Sequence, residues 1–252
     1  MIKNMLKKYY TEKWKNSDIY RDLKEKLYSE SVFINNIIID KYDSKTYLTP
    51  FRISKNLFTN KDIIEILNYL GIKNDVDESY LIINPYNKSL PIKFNEKGNA
   101  YISDNSFLLR PVSGITWDGA LFIANLFDGR LPYEKEWMIS ASAGNKEYKF
   151  PWGNKTPSSE FANYEEYYGK TTPIEFFPPN EIGIYDMAGN VEEWCMDKGT
   201  ESRDGIVLTR KVKGGCWYKS SKDLEINSYR EHWCKMSSTG IGFRIVWEEK
   251  NG

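Results

Sequence analysis

The chain has 252 residues, with 35 Lys+Arg balanced by 35 Asp+Glu, so its formal net charge is zero. That length makes one large domain or two small ones, and the lack of a basic excess argues against a dedicated nucleic-acid binder. Aromatic residues form 15% of the chain, including 8 Trp and 18 Tyr, which serve both cores and binding pockets.

Residues 1–31 predict a helical extension. Met5, Leu6, Tyr9, Trp14, Ile19, Leu23 and Leu27 recur at roughly helical spacing among charged residues. Such a stripe either packs on the main domain or serves a protein partner, and packing is the expected role. From there a main domain over 32–252 is expected. "VFINNIIID" and "TYLTPFRIS" are rich in β-branched and aromatic residues and read as strands. "TNKDIIEILNYLG" reads as a helix: Thr59 or Asn60 caps it, Ile63, Ile64 and Leu67 form its apolar stripe, and Gly71 ends it. Residues 72–106 are irregular, with short strand candidates at "YLIIN" and "PIKF". A second helix is expected from Thr116 to Gly129. A third follows in "LPYEKEWMISASAG", with Pro132 in its first turn and Glu134 and Glu136 at its positive end.

Beyond Gly144 regular patterning thins. "KFPWGNKTPSSEFANY" and "FFPPNEIGIYDMAGN" are dense in Gly, Pro, Asn and aromatics, and loops this long usually carry function or bind ions. "GIVLTRKVKGG" and "GIGFRIVWEE" supply C-terminal strands. The fold class is α+β: a few helices, short antiparallel strands and a loop-rich second half. No apolar run of about 18 residues is present, so no membrane span is expected. The N-terminus lacks the apolar core of a secretory signal. Three widely spaced cysteines do not make a disulfide framework, and a cytoplasmic protein with reduced thiols is expected.

Several phrases resemble one family in that family's own order. "PVSGITWDGALFIANLFDGRLPYEKEWMISASAG", "FPWGN", "FPPNEIGIYDMAGNVEEWCMD", "VKGGCW" and "GIGFRIVW" look like motifs of the formylglycine-generating enzymes, or sulfatase-modifying factors. "TPFRISKNLFTNKDIIEIL" looks like their N-terminal motif, so the resemblance covers about residues 45–248. It implies a variant of the C-type-lectin-like fold with structural calcium. It also makes Trp137, Trp152, Trp194, Tyr185 and Phe243 core residues. Calcium, which takes oxygen ligands, is expected at Asn190, the Val191 carbonyl and Glu193, with a second site at Asn163 and the Tyr164 carbonyl.

Active members of the family hold Cu(I) on two cysteines five residues apart. Here the matching positions carry Lys219 and Leu224, which are not copper ligands, so no copper is expected at that site and standard formylglycine formation is not expected. His232 is the single histidine, too few for a three-His iron centre. Cys216 falls where the family has a pocket serine. Cys216, Lys219, Arg230 and His232 are the candidate catalytic residues, with Trp217, Tyr218, Glu192, Trp233 and Cys234 lining a ligand pocket. Three roles are open for Cys216: a small buried plug, a thiol activated by Lys219, Arg230 and His232, or a partner of Cys234 in a rearranged copper pair or redox disulfide. Two functions remain. One is a divergent oxidoreductase-type enzyme that modifies a peptide or small metabolite. The other is a non-catalytic module that binds a ligand or protein through its C-terminal loops.

Overall fold

The computed structural model describes residues 10–35, 37–41, 44–72, 82–83 and 87–249. Met5, Leu6 and Tyr9 of the predicted N-terminal stripe, and part of "YLIIN", lie outside them. Helix α1 (Asp18–Ser29) begins where the Ser17 side chain accepts the Tyr20 amide. Just before it, Trp14 is fully buried, with edge-to-face contacts to Phe127 at 5.6 Å and Tyr69 at 5.7 Å. Asp128 receives both Lys15 and Lys24. Residues 10–29 are thus seated against the body of the domain by one large aromatic side chain and two ion pairs.

β1 (Val32–Ile34), β4 (Phe51–Ile53) and β11 (Val246–Glu248) form a three-stranded sheet in the order β1-β4-β11, antiparallel throughout. β2 (Ile37–Lys41) and β3 (Ser44–Leu48) make a separate hairpin, and β5 (Ile92–Phe94) pairs with β6 (Ala100–Ile102). Helix α2 (Asn60–Leu70) carries a capping box in which Thr59 and Asp62 satisfy each other's backbone amides. Helices α3 (Trp117–Leu126) and α4 (Glu134–Ala141) follow, α3 capped by Thr116. Among the described residues, no helix is long and apolar enough to cross a membrane.

The second sheet positions the site. Its order is β10-β7-β8-β9, with β7 (Glu192–Lys198) central, β8 (Thr209–Lys213) and β9 (Arg230–Trp233) antiparallel beyond it, and β10 (Ile241–Gly242) parallel on the other side. Successive side chains of β7 point to opposite faces, so its first two residues, Glu192 and Glu193, look in opposite directions. Trp137, Trp194 and Phe243 are fully buried, as the family resemblance implies. Trp152 and Tyr185 are only partly buried: Trp152 stacks between Phe150 and Phe161, and Tyr185 lies under Lys55.

Candidate functional site

The stretch "VKGGCWYKSS" leaves β8 through two glycines in left-handed backbone, Gly214 at φ 91 and Gly215 at φ 68. A Cβ on Gly215 would stand 3.0 Å from the Asp223 carbonyl, so the chain turns here only because both side chains are missing. The turn drives Cys216 inward, where it is fully buried. Gly240, just before β10, closes over it: a Cβ there would lie 2.7 Å from Cys216 Sγ and 2.7 Å from the Tyr218 ring. The Tyr218 hydroxyl pairs with Ser238 Oγ at 2.9 Å, and Trp217 meets Tyr218 edge-on at 4.9 Å.

Glu192 is the centre of the cluster. Its amide donates to the Gly240 carbonyl at 2.7 Å, and its carboxylate is 1% exposed. Oε2 hydrogen-bonds to His232 Nε2 at 2.9 Å. Oε1 stands 3.6 Å from Arg230 Nε, too far for a hydrogen bond, and has no other partner. β9 delivers both basic residues, with Arg230 opposite Val212 and His232 opposite Arg210. The His232 ring meets Trp194 edge-on at 6.2 Å. Arg230 also reaches Asp223 at 3.4 Å, and its side chain is 44% exposed. The guanidinium is therefore loosely held between two carboxylates at the edge of solvent.

These surroundings fix the thiol. Burial pushes the Cys216 pKa up to about 12, the nearby Glu192 carboxylate adds to the rise, and Lys219 opposes it only weakly. The Tyr218 phenol is also pushed up to about 12 by burial and then by Cys216. A reactive cysteine needs the opposite environment, positive and partly open. The pairing with Cys234 does not form either. All three cysteines are free, and Cys234 sits with its sulfur 3.8 Å from the Val207 carbonyl, near Arg210 and Asp118. Leu224, at the second copper position, is fully buried among Phe150, Ala162 and Ala188. Lys219 lies 5.4 Å over the Tyr218 ring. Of the sequence-chosen residues, Glu192, Arg230, His232, Cys216, Tyr218 and Lys219 come together, whereas Trp233 is 68% exposed at the end of β9.

The expected calcium ligands can be tested on their partners. The Asn190 side-chain oxygen accepts the Thr172 amide and its nitrogen donates to the Thr172 carbonyl. Glu193 is held by Arg244, through Nε at 2.6 Å and Nη2 at 2.8 Å, and by the Trp137 indole at 2.9 Å. The sequence reading passed over Asp186. Its carboxyl is buried and lifted to about 6, first by burial and further by the Glu193 charge. Asp186 Oδ1 lies 3.4 Å from the Asn190 amide nitrogen and beside the Glu193 charge, so it adds a buried carboxylate to the expected calcium ligands. At the second site Asn163 Oδ1 is buried without a partner, as is Thr172 Oγ1, which suits an oxygen ligand. Among the described residues no group of three or more His, Cys, Asp or Glu converges as a metal centre. Nothing in "YDMAGN" signals that its aspartate is buried.

Residues 30–249 match the model of the sulfatase-modifying factor enzyme 1-like domain. The chain belongs to that family. It is 31% identical over 216 residues to a protein named serine/threonine-protein kinase pkn1 from Chlamydia pneumoniae, an alignment covering 80% of this chain and 33% of that protein. It is 36% identical over 100 residues to the formylglycine-generating enzyme of Thermomonospora curvata, covering 34% of this chain and 33% of that enzyme. The chain thus spans about one third of the length of these curated relatives. Among solved structures, the crystal structure of CarF superposes with a TM-score of 0.64 over 87% of this chain and 98% of that one, at 20% identity. That likeness is one of fold, and it accounts for the loop-rich family domain with its short strands.

Proposed function

We propose that this domain of the formylglycine-generating-enzyme family holds a peptide or small-molecule ligand on the face formed by Trp217–Lys219 and β9, without copper-dependent oxidation. One observation carries the reading: Cys216 is fully buried with its pKa raised to about 12, while the family's copper positions hold Lys219 and a buried Leu224. A thiol kept protonated supplies neither nucleophile nor soft metal ligand. Around it stand groups suited to recognition: a loosely held guanidinium, a partly buried imidazole paired with a buried carboxylate, and Trp217 with Tyr218.

The test uses the purified chain. Titration with Cu(I) against a competing chelator is expected to show no bound copper, and stoichiometric binding would overturn the reading. On a peptide array, ligands are expected to lose affinity in Arg230→Ala and keep it in Cys216→Ser.

A second reading rests on the 2.9 Å contact between His232 and Glu192. A carboxylate orienting an imidazole is the usual arrangement of a general base, so a modifying enzyme would work here by proton transfer through His232. Product formation lost in His232→Ala and retained in Cys216→Ser would select it. Calcium is proposed as a structural ion held by Asn190, the Val191 carbonyl and Glu193, with Asp186 beside them, and a second ion at Asn163 and the Tyr164 carbonyl. Residues 1–31 are proposed as an extension that docks on the domain over 32–252, and the chain as a cytoplasmic protein.

A further inference from the structure

The loop over 163–177 runs directly beside the proposed binding face. The Glu165 amide donates to the Lys219 carbonyl at 2.8 Å, the Glu166 amide donates to the Trp217 carbonyl at 2.7 Å, and the Glu165 carboxylate accepts the Ser221 amide at 3.1 Å. From this anchor the loop presents a ledge of rings. Tyr167 packs on Tyr168 at 4.9 Å, Tyr168 on Phe176 at 5.4 Å, and Phe176 on Phe177 at 5.0 Å. Tyr167 is 68% and Phe176 52% exposed. A soluble domain rarely leaves neighbouring large rings in water unless something covers them.

The residues around the ledge give the sign of its occupant. Glu160, Glu165, Glu166 and Glu175 are all exposed, and none of them forms an ion pair among the described residues. The nearby lysines are already seated on rings, Lys170 at 5.0 Å over Phe107, Lys155 at 6.0 Å over Phe161, and Lys219 over Tyr218. Among the described residues, no cation lies over Tyr167 or Phe176. Glu165 and Glu175 accept neutral donors, the Ser221 amide and the Asn56 side chain, which leaves their charge uncompensated. Ring faces bordered by such carboxylates bind ammonium and guanidinium groups, and the run of rings from Tyr167 to Phe177 has a length that suits an extended chain more than a single small ion.

We infer that the Tyr167–Phe176 ledge is a docking surface for a basic, extended peptide segment of a partner protein, whose Lys or Arg side chains lie over the rings between Glu166 and Glu175. This deepens the binding reading above and rests on it.

The test measures fluorescence anisotropy of a labelled nonapeptide of alternating Arg and Ser on the full chain, with the Glu-for-Arg peptide as control. Wild type is expected to bind the Arg peptide and not the Glu peptide. Tyr167→Ala combined with Phe176→Ala should weaken binding about tenfold, as should Glu166→Gln combined with Glu175→Gln, because each pair removes contacts of the cation–π and ion-pair class. Both pairs alter exposed side chains, and an unchanged melting temperature verifies folding. Absence of binding, equal binding of the Glu peptide, or wild-type affinity in both variants overturns the proposal. Displacement by spermidine at equal concentration would make the occupant a polyamine. A dimer lost on removing the rings would make it a second copy. Either result overturns the peptide assignment. If only Arg230→Ala weakens the peptide, the ledge falls and the binding face of the preceding section stands.

Discussion

Glu192 and Glu193 are neighbours on one strand and equally buried, yet they are opposite kinds of carboxylate. Glu193 accepts three hydrogen bonds, two from Arg244 and one from Trp137, and Arg244 is itself wholly enclosed, donating to the Ser54, Lys55 and Tyr185 carbonyls. Glu192 has one hydrogen bond, an oxygen with none, and a guanidinium left at the edge of solvent. A satisfied buried pair fixes the fold, because removing one member strands the other. A half-satisfied carboxylate beside a guanidinium at the edge of solvent keeps bonding capacity for something else. On the proposed reading, the two faces of β7 divide architecture from recognition.

The widest gap between the two faces should appear in stability. Arg244→Met leaves Glu193 buried and unpaired and is expected to cost about 3–5 kcal/mol, read from urea denaturation. A loss below about 1 kcal/mol would mean Glu193 has another partner and the contrast fails. Asp186→Asn sharpens the same face. Without calcium, a carboxyl raised from 3.8 to about 6 favours the folded state at low pH and loses that contribution as pH rises through 6. In EDTA at pH 7.5 the variant is therefore expected to be more stable by about 2–3 kcal/mol, the advantage vanishing below pH 4. In millimolar calcium the order should reverse, and an unchanged order would remove the proposed ion.

On the other face, Glu192→Gln is expected to cost only about 1 kcal/mol, since water can take over Arg230, while affinity for array-selected peptides falls. A cost near that of Arg244→Met would make Glu192 architectural. The smallest effect concerns Cys216. Folded chain at pH 8 should resist iodoacetamide at this residue, read by mass spectrometry, because the thiol is buried and un-ionised. Its raised pKa favours folding below about 9 and is lost as pH rises toward 12. Rapid labelling at pH 8 would restore the activated-thiol reading.

Much of the architecture was legible because it rests on local chemistry. Thr59 with Asp62, the glycine after α2 and the Thr116 cap all act within a turn of their own helix, and the phrase order carried the family. The candidate site was legible in part. Position alone pointed to Cys216, Lys219, Arg230 and His232, but their chemistry depends on Glu192, whose reach across from β7 is set by a β7-β8-β9 register that local sequence does not encode. The setting of Asn190 was hidden for the same reason. Its partner is Thr172, 18 residues away on a loop, and the acidic group that matters, Asp186, looks like an ordinary turn residue. The ring ledge was hidden too: "EEYYGK" and "EFF" are unremarkable until the loop lays them side by side.

Gly240 stands so close to Cys216 and Tyr218 that the sizes of residues 216 and 240 are a single quantity. A methyl at 240 would need the sulfur withdrawn, and a bulkier side chain at 216 would have no glycine left to trade. Across relatives, a member with alanine at 240 should therefore carry nothing larger than alanine or serine at 216. Sequence variation at two sites 24 positions apart thus becomes a gauge of how tightly the floor of this face is closed.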